Sequence, residues 1–252
     1  MLQSLKRKFF QSGTTESRRR QTNRSMSEPV EALEVRALLA GNVLVSVNAS
    51  GNLTLKGDNF NNAVRVDPVV GGIKVTGLPD EIDGVTTTLG NGETERVFMG
   101  DQFVRGNLKV QMKGGTDELY STVDVQKNVS VNMGKGADIL EISGTTIDGN
   151  AKLNLGASGP GEIAAVILSD VVVEGKAVVK GGGGSQIAYI EDSSFSQQIS
   201  VNLGGGNDVL DIADTSFNAF KFNGGGGTDL FLLSPGGGRS VDSKGFENFD
   251  DD

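Results

Sequence analysis

Val129-Ser-Val-Asn-Met-Gly-Lys-Gly-Ala-Asp138-Ile-Leu-Glu-Ile142 and Ile199-Ser-Val-Asn-Leu-Gly-Gly-Gly-Asn-Asp208-Val-Leu-Asp-Ile212 are two copies of one pattern. Each has an alternating apolar pair, a glycine turn, an aspartate, and a second alternating pair. The pattern recurs six times between residues 107 and 235. A repeat of about twenty residues or more is the mark of a stacked architecture. Period-two alternation makes its apolar pieces half-buried strands.

Outward from these copies, the residue before each second apolar pair can be followed as Asn62, Glu95, Asp117, Asp138, Glu162, Gln186, Asp208 and Asp229, at spacings of 33, 22, 21, 24, 24, 22 and 21. Apolar residues then fall mostly at +2 and +4, as in Val97/Met99, Ala164/Val166 and Leu210/Ile212. Asp117 is the weak copy, with Leu119 followed by Ser121. A third apolar point follows each pair at Val123, Ile147, Val172, Phe195 and Phe217. The expected fold is all-β, a single-stranded parallel β-helix (β-solenoid) with about 22 residues and three short strands per coil. Stacking at about 4.8 Å would align equivalent side chains into ladders. No helical segment alternates with the strands, so a βαβ sheet fails. An antiparallel sandwich is the rival, but it would not need one register to persist through every unit.

The spacing predicts about eight coils across residues 41–249, with an insertion around Val69–Asp83 and otherwise no long insertion to wall a cleft. Gly245-Phe-Glu-Asn-Phe249 reads as a closing strand in a cap near 241–249, with Phe246 and Phe249 over the last rung. Residues 250–252 form an acidic tail.

Composition closes several chemistries. The chain has 252 residues, 37 glycines, and no cysteine, histidine or tryptophan. Disulfides, thiolate sites, His-ligated metals and Ser-His-Asp triads are excluded. The net charge of −9 divides into +4 over residues 1–40 and −13 over the remainder. The repeat region should therefore attract cations and repel nucleic acid. Residues 1–40 read as a disordered basic leader without an apolar signal region, and no stretch reaches membrane-spanning length.

Within that leader, Leu33, Glu34, Arg36, Leu38 and Leu39 resemble the LEPRxLL motif near the start of many exported and surface proteins of planctomycete bacteria, with Val35 in place of its proline. The resemblance implies export or a cell-surface location. The same leucines would also suit a short helix covering an open sheet edge.

Gly224-Gly-Gly-Gly227-Thr-Asp229-Leu-Phe-Leu232 fits the GGxGxDxUx nonapeptide, and the turns at Asp138 and Asp208 each lack only its first glycine. These turns resemble the calcium-binding RTX repeats of secreted bacterial proteins. The resemblance implies Ca²⁺ held between neighbouring turns by carboxylates and glycine carbonyls. This chain carries the nonapeptide once per coil where that family carries it twice. Glu162 and Gln186 interrupt the acid column, leaving two candidate metal steps, Asp117–Asp138 and Asp208–Asp229. The alternative needs no ion: an Asp or Asn here can accept turn N–H groups as a cap. Asn62 and Gln186 suit that alternative.

The expected function is a non-enzymatic, exported or surface-associated structural or adhesive module, with Ca²⁺ and cell-surface polymers or proteins as partners. A carbohydrate-active β-helix, lyase- or hydrolase-like, is the competing expectation, with Lys113, Lys135 and Lys180 near the acid column. Sugar-processing clefts need carboxylate pairs and are generally lined with aromatics, and the only tyrosines here are Tyr120 and Tyr189.

Overall fold

The computed structural model describes residues 41–79, 84–90 and 92–234, with the backbone of 243–244 and 248–250. The basic leader with its LEPRxLL-like segment, Phe246, and Asp251 and Asp252 lie outside the described residues. Among the described residues no helix is long and apolar enough to cross a membrane.

The described residues open with β1 (Leu44–Val47), β2 (Leu53–Lys56), β3 (Ala63–Val69), β4 (Gly72–Gly77) and β5 (Glu95–Met99). Regular coils follow through β6 (Leu108–Gln111), β7 (Glu118–Ser121), β8 (Val129–Asn132), β9 (Ile139–Ile147), β10 (Ala151–Asn154) and β11 (Ile163–Val173). They continue through β12 (Ala177–Lys180), β13 (Ser185–Glu191), β14 (Ser194–Gly205), β15 (Val209–Ala213), β16 (Ser216–Gly226) and β17 (Leu230–Leu233). Short strands β18 (Ser243–Lys244) and β19 (Asn248–Asp250) are the last described.

Three parallel columns of strands wind into a β-solenoid of about six turns. On the first face, Leu108, Val129, Ala151, Ala177, Ile199 and Phe220 stand in register. On the second, Leu119, Leu140, Val166, Ala188, Leu210 and Phe231 align. Val104, Val125, Ile147, Val173, Phe195 and Phe217 make the third. Nearly all of these apolar side chains are buried, and together they form one core running along the axis. At the C-terminal end the core widens into phenylalanines, with Phe222 edge-on to Phe231 at 5.3 Å and stacked on Phe220 at 4.9 Å. The register also explains the weak copy. Ser121 lies between Val66 and Ile142 in the second-face core column, and it is buried.

Three expectations are corrected. Glu95, Val97 and Met99 do not form a coil: Asn62 stacks directly under Asp117 because Ala63 pairs with Glu118, and the 55 residues between equivalents include an insertion. There β3 turns back through Val70 and Gly71 into β4, and β5 adds antiparallel to β4, leaving Met99 79% exposed. Alternation on both sides of Gly71-Gly72 was the hairpin signal that could have located it. The insertion does wall a cleft of about 220 Å³, lined by Val47, Phe98, Met99 and Phe103. The third-face ladder takes Val125 and Val173 rather than Val123 and Val172.

The glycine content has a stacking cause. Gly136 and Gly227 sit at φ 139° and 129°, and a Cβ there would lie 1.8 Å from Gly115 O and 1.7 Å from Gly206 O. Any side chain would force two turns apart. The first coil is covered by β1, which pairs antiparallel with β2. At the other end the backbone of β19 continues the second column in parallel with β17.

Candidate functional site: a buried aspartate column

Each second-face strand is preceded by a residue whose side chain enters the corner between the first and second faces. Asn62, Asp117 and Asp138 and, after one intervening coil, Gln186, Asp208 and Asp229 occupy this corner at 0–1% exposure. Glu162 does not belong to the column. Ala165 pairs with Ile139 and Ala164 with Gln186, so Ala164 takes the position. The four residues Gly159–Glu162 form an extra turn, closed by a hydrogen bond from Gly159 N–H to Glu162 Oε2 at 2.7 Å.

One oxygen of each aspartate has a defined partner. Asp117 Oδ1 accepts the Asn62 N–H at 2.9 Å, and Asp138 Oδ1 accepts the Asp117 N–H at 2.9 Å. Asp208 Oδ1 accepts the Gln186 N–H at 2.7 Å, and Asp229 Oδ1 accepts the Asp208 N–H at 2.9 Å. The capping is therefore real, but it runs between coils rather than within a turn. It satisfies a buried N–H that the parallel ladder leaves over.

The other oxygen is orphaned. Oδ2 of Asp117, Asp138, Asp208 and Asp229 is buried without a hydrogen-bond partner. A lone charged oxygen in that setting is costly, and at Asp117, Asp138 and Asp208 the carboxyl retains its proton to higher pH. Burial pushes Asp117 up to about 8, against the hydrogen bonds from Asn62 and with help from the Asp138 charge. Burial pushes Asp138 up to about 6, opposed by the Asp117 N–H and assisted by Glu162. Asp208 also rises to about 6 through burial, opposed by the Gln186 N–H and assisted by Asp229.

The amide members show what the slot accepts. Asn62 Nδ2 donates to Phe60 O at 2.6 Å and to Asp117 Oδ1 at 2.8 Å. Gln186 Nε2 donates to Gly184 O at 2.8 Å. In both cases the acceptor is the carbonyl two residues back. Asn62 Oδ1 and Gln186 Oε1 are themselves unpartnered. Asn62 begins the column, and Gln186 stands opposite Ala164 in the coil that carries the Gly159–Glu162 turn.

The structure thus brings together both predicted pairs, Asp117 with Asp138 and Asp208 with Asp229. Their orphaned oxygens suit a hard cation in kind, since Ca²⁺ takes roughly six to eight oxygen ligands. Among the described residues no third acidic side chain joins either pair. Turn carbonyls of Lys113, Gly134 and Lys135 already accept N–H groups from neighbouring coils. Further ligands for an ion would have to use the second lone pairs of such carbonyls. Lys113 and Lys135 are exposed, Lys180 closes β12 facing outward, and none forms an ion pair with the column among the described residues.

A second corner ladder was missed. Asn107 Nδ2 donates to Asn52 Oδ1 at 2.8 Å, Asn128 to Asn107 at 3.0 Å, and Asn150 to Asn128 at 3.1 Å. Its signal was an asparagine directly before four successive first apolar pairs, Asn52-Leu53, Asn107-Leu108, Asn128-Val129 and Asn150-Ala151. No protein-family model, curated protein or solved structure matches the chain.

Proposed function

We propose that the chain is a non-enzymatic structural or adhesive module, exported or surface-associated, whose buried aspartate steps take up Ca²⁺. The observation that carries this reading is the double use of each carboxyl. Oδ1 ties one coil to the next, and Oδ2 is closed to solvent and without a partner. Such acids serve cohesion, since a substrate could not reach them. Calcium would supply the positive partner that each orphaned pair lacks at Asp117–Asp138 and Asp208–Asp229. The LEPRxLL-like segment and the glycine–aspartate turns support an exported setting, where millimolar-range calcium sites are common.

Two measurements test it. Melting at pH 7.5 should rise on adding excess Ca²⁺ to EDTA-treated protein, and an unchanged melting temperature would remove calcium from the proposal. A panel of neutral and acidic polysaccharides should give no reducing-end or unsaturated products. Turnover on any of them would overturn the non-enzymatic reading.

A further inference from the structure

The first face carries a charge distribution opposite to that of the chain as a whole. Its strands alternate inward apolar and outward polar residues, so every second residue forms an outward row at the coil spacing of about 4.8 Å. One row runs Lys109, Ser130, Lys152, Val178, Ser200, Lys221. The next begins at Lys56 and passes through Gln111, Asn132 and Asn154 to Lys180. All five lysines are exposed. Among the described residues, no aspartate or glutamate occupies an outward position of these first-face segments. The ion pairs of the described residues use Lys74, Arg96 and Arg105, so none of the five ammonium groups is paired with a described carboxylate.

Acids collect elsewhere. Glu141 and Asp211 face outward on the second face, and Asp124, Asp148, Glu174 and Asp192 lie exposed around the third. The net −13 of the repeat region therefore conceals one flat cationic face. Its neutral rows are ordered: Asn154 Nδ2 donates to Asn132 Oδ1 at 2.8 Å, and Asn223 Nδ2 to Asn202 Oδ1 at 3.3 Å. Fixed amides and hydroxyls between regularly spaced charges suit a polymer rich in hydroxyls and bearing anions. The rows contain no aromatic side chain and no arginine, the groups that stack on bases and fork onto phosphates.

Resting on the surface-module reading, we infer that this first face binds a linear anionic polysaccharide, its carboxylates or sulfates meeting the lysine rows and its hydroxyls meeting the Asn/Ser rows. The acidic second and third faces orient the polymer by repulsion.

The test is binding of the full chain to polygalacturonate, to a sulfated glycan, to neutral dextran and to single-stranded DNA of matched charge, by titration at low salt. The variant K109Q/K152Q/K221Q changes only exposed side chains, and K74Q, which removes a lysine off the face, is the control. The expected result is binding to the carboxylated or sulfated polymer, weakened ~10-fold or more by the triple change and little by K74Q, and falling with added salt. The two glycan arms identify which anion is preferred. No binding, equal loss with K74Q, or DNA binding as tight as glycan binding would each overturn the inference. Cleavage of the bound polymer would instead overturn the non-enzymatic reading while leaving the face assignment standing.

Discussion

Asn62 and Gln186 occupy the same corner of the solenoid as Asp117, Asp138, Asp208 and Asp229, at the same near-complete burial, yet they solve different problems. The amides bring their own donor, which reaches the carbonyl two residues back. The acids bring two acceptors, use one to hold the preceding coil, and leave the other empty. The corner therefore asks for an acceptor in one direction and a positive or donating group in the other. An aspartate meets both demands only with a proton or a cation. Acid coils are conditional where amide coils are not.

The largest effect should come from removing the acceptor altogether. Asp117→Ala would strand the Asn62 N–H and remove one of the two acceptors of its Nδ2, at a cost of about 3 kcal/mol or more, read by chemical denaturation. Turning an amide coil into an acid coil should follow in size. Gln186→Glu removes the donor to Gly184 O and sets a second carboxylate beside Asp208, a loss of roughly 2 kcal/mol at pH 8 that shrinks at pH 4. The reverse exchange should gain stability. Asp138→Asn keeps an acceptor for the Asp117 N–H and supplies an amide donor, giving about 1 kcal/mol at pH 8 in EDTA and nothing at pH 4. The same variant should lose part of any calcium response. The smallest change lies at Lys113, whose φ of 86° occupies a turn position filled by Gly134 and Gly156 in the next coils. Lys113→Gly should stabilise by about 0.5–1 kcal/mol through relief of that conformation.

The parallel solenoid was legible because Val, Ile and Leu recur at fixed distances from a glycine turn, and only stacking satisfies one register through many copies. The candidate pairs were legible for the same reason. What failed was counting through irregular stretches. Glu95 and Glu162 sit near the expected spacing, but one lies in an antiparallel hairpin and the other in a four-residue turn. Spacing alone does not distinguish a coil from a loop of similar length, whereas ladder hydrogen bonds do. The role of the aspartates was only half readable. An Asx residue after glycines suggests a local turn cap, and nothing local reveals that its acceptor oxygen serves the coil before it. The cationic face went unread because its lysines are scattered through 166 residues, from Lys56 to Lys221, and meet only when the coils stack.

The pH dependence of stability tests the buried column most directly. The folded pKa values of Asp117, Asp138 and Asp208 lie above the 3.8 of a free aspartate, so the folded chain binds protons that the unfolded chain releases. Their contribution is complete below about pH 4 and declines as pH rises through about 6 for Asp138 and Asp208 and about 8 for Asp117. Thermal unfolding in EDTA from pH 4 to pH 8.5 should therefore show a melting temperature that falls across this range, less steeply in Asp138→Asn. A melting temperature that stays flat or rises with pH would contradict the account.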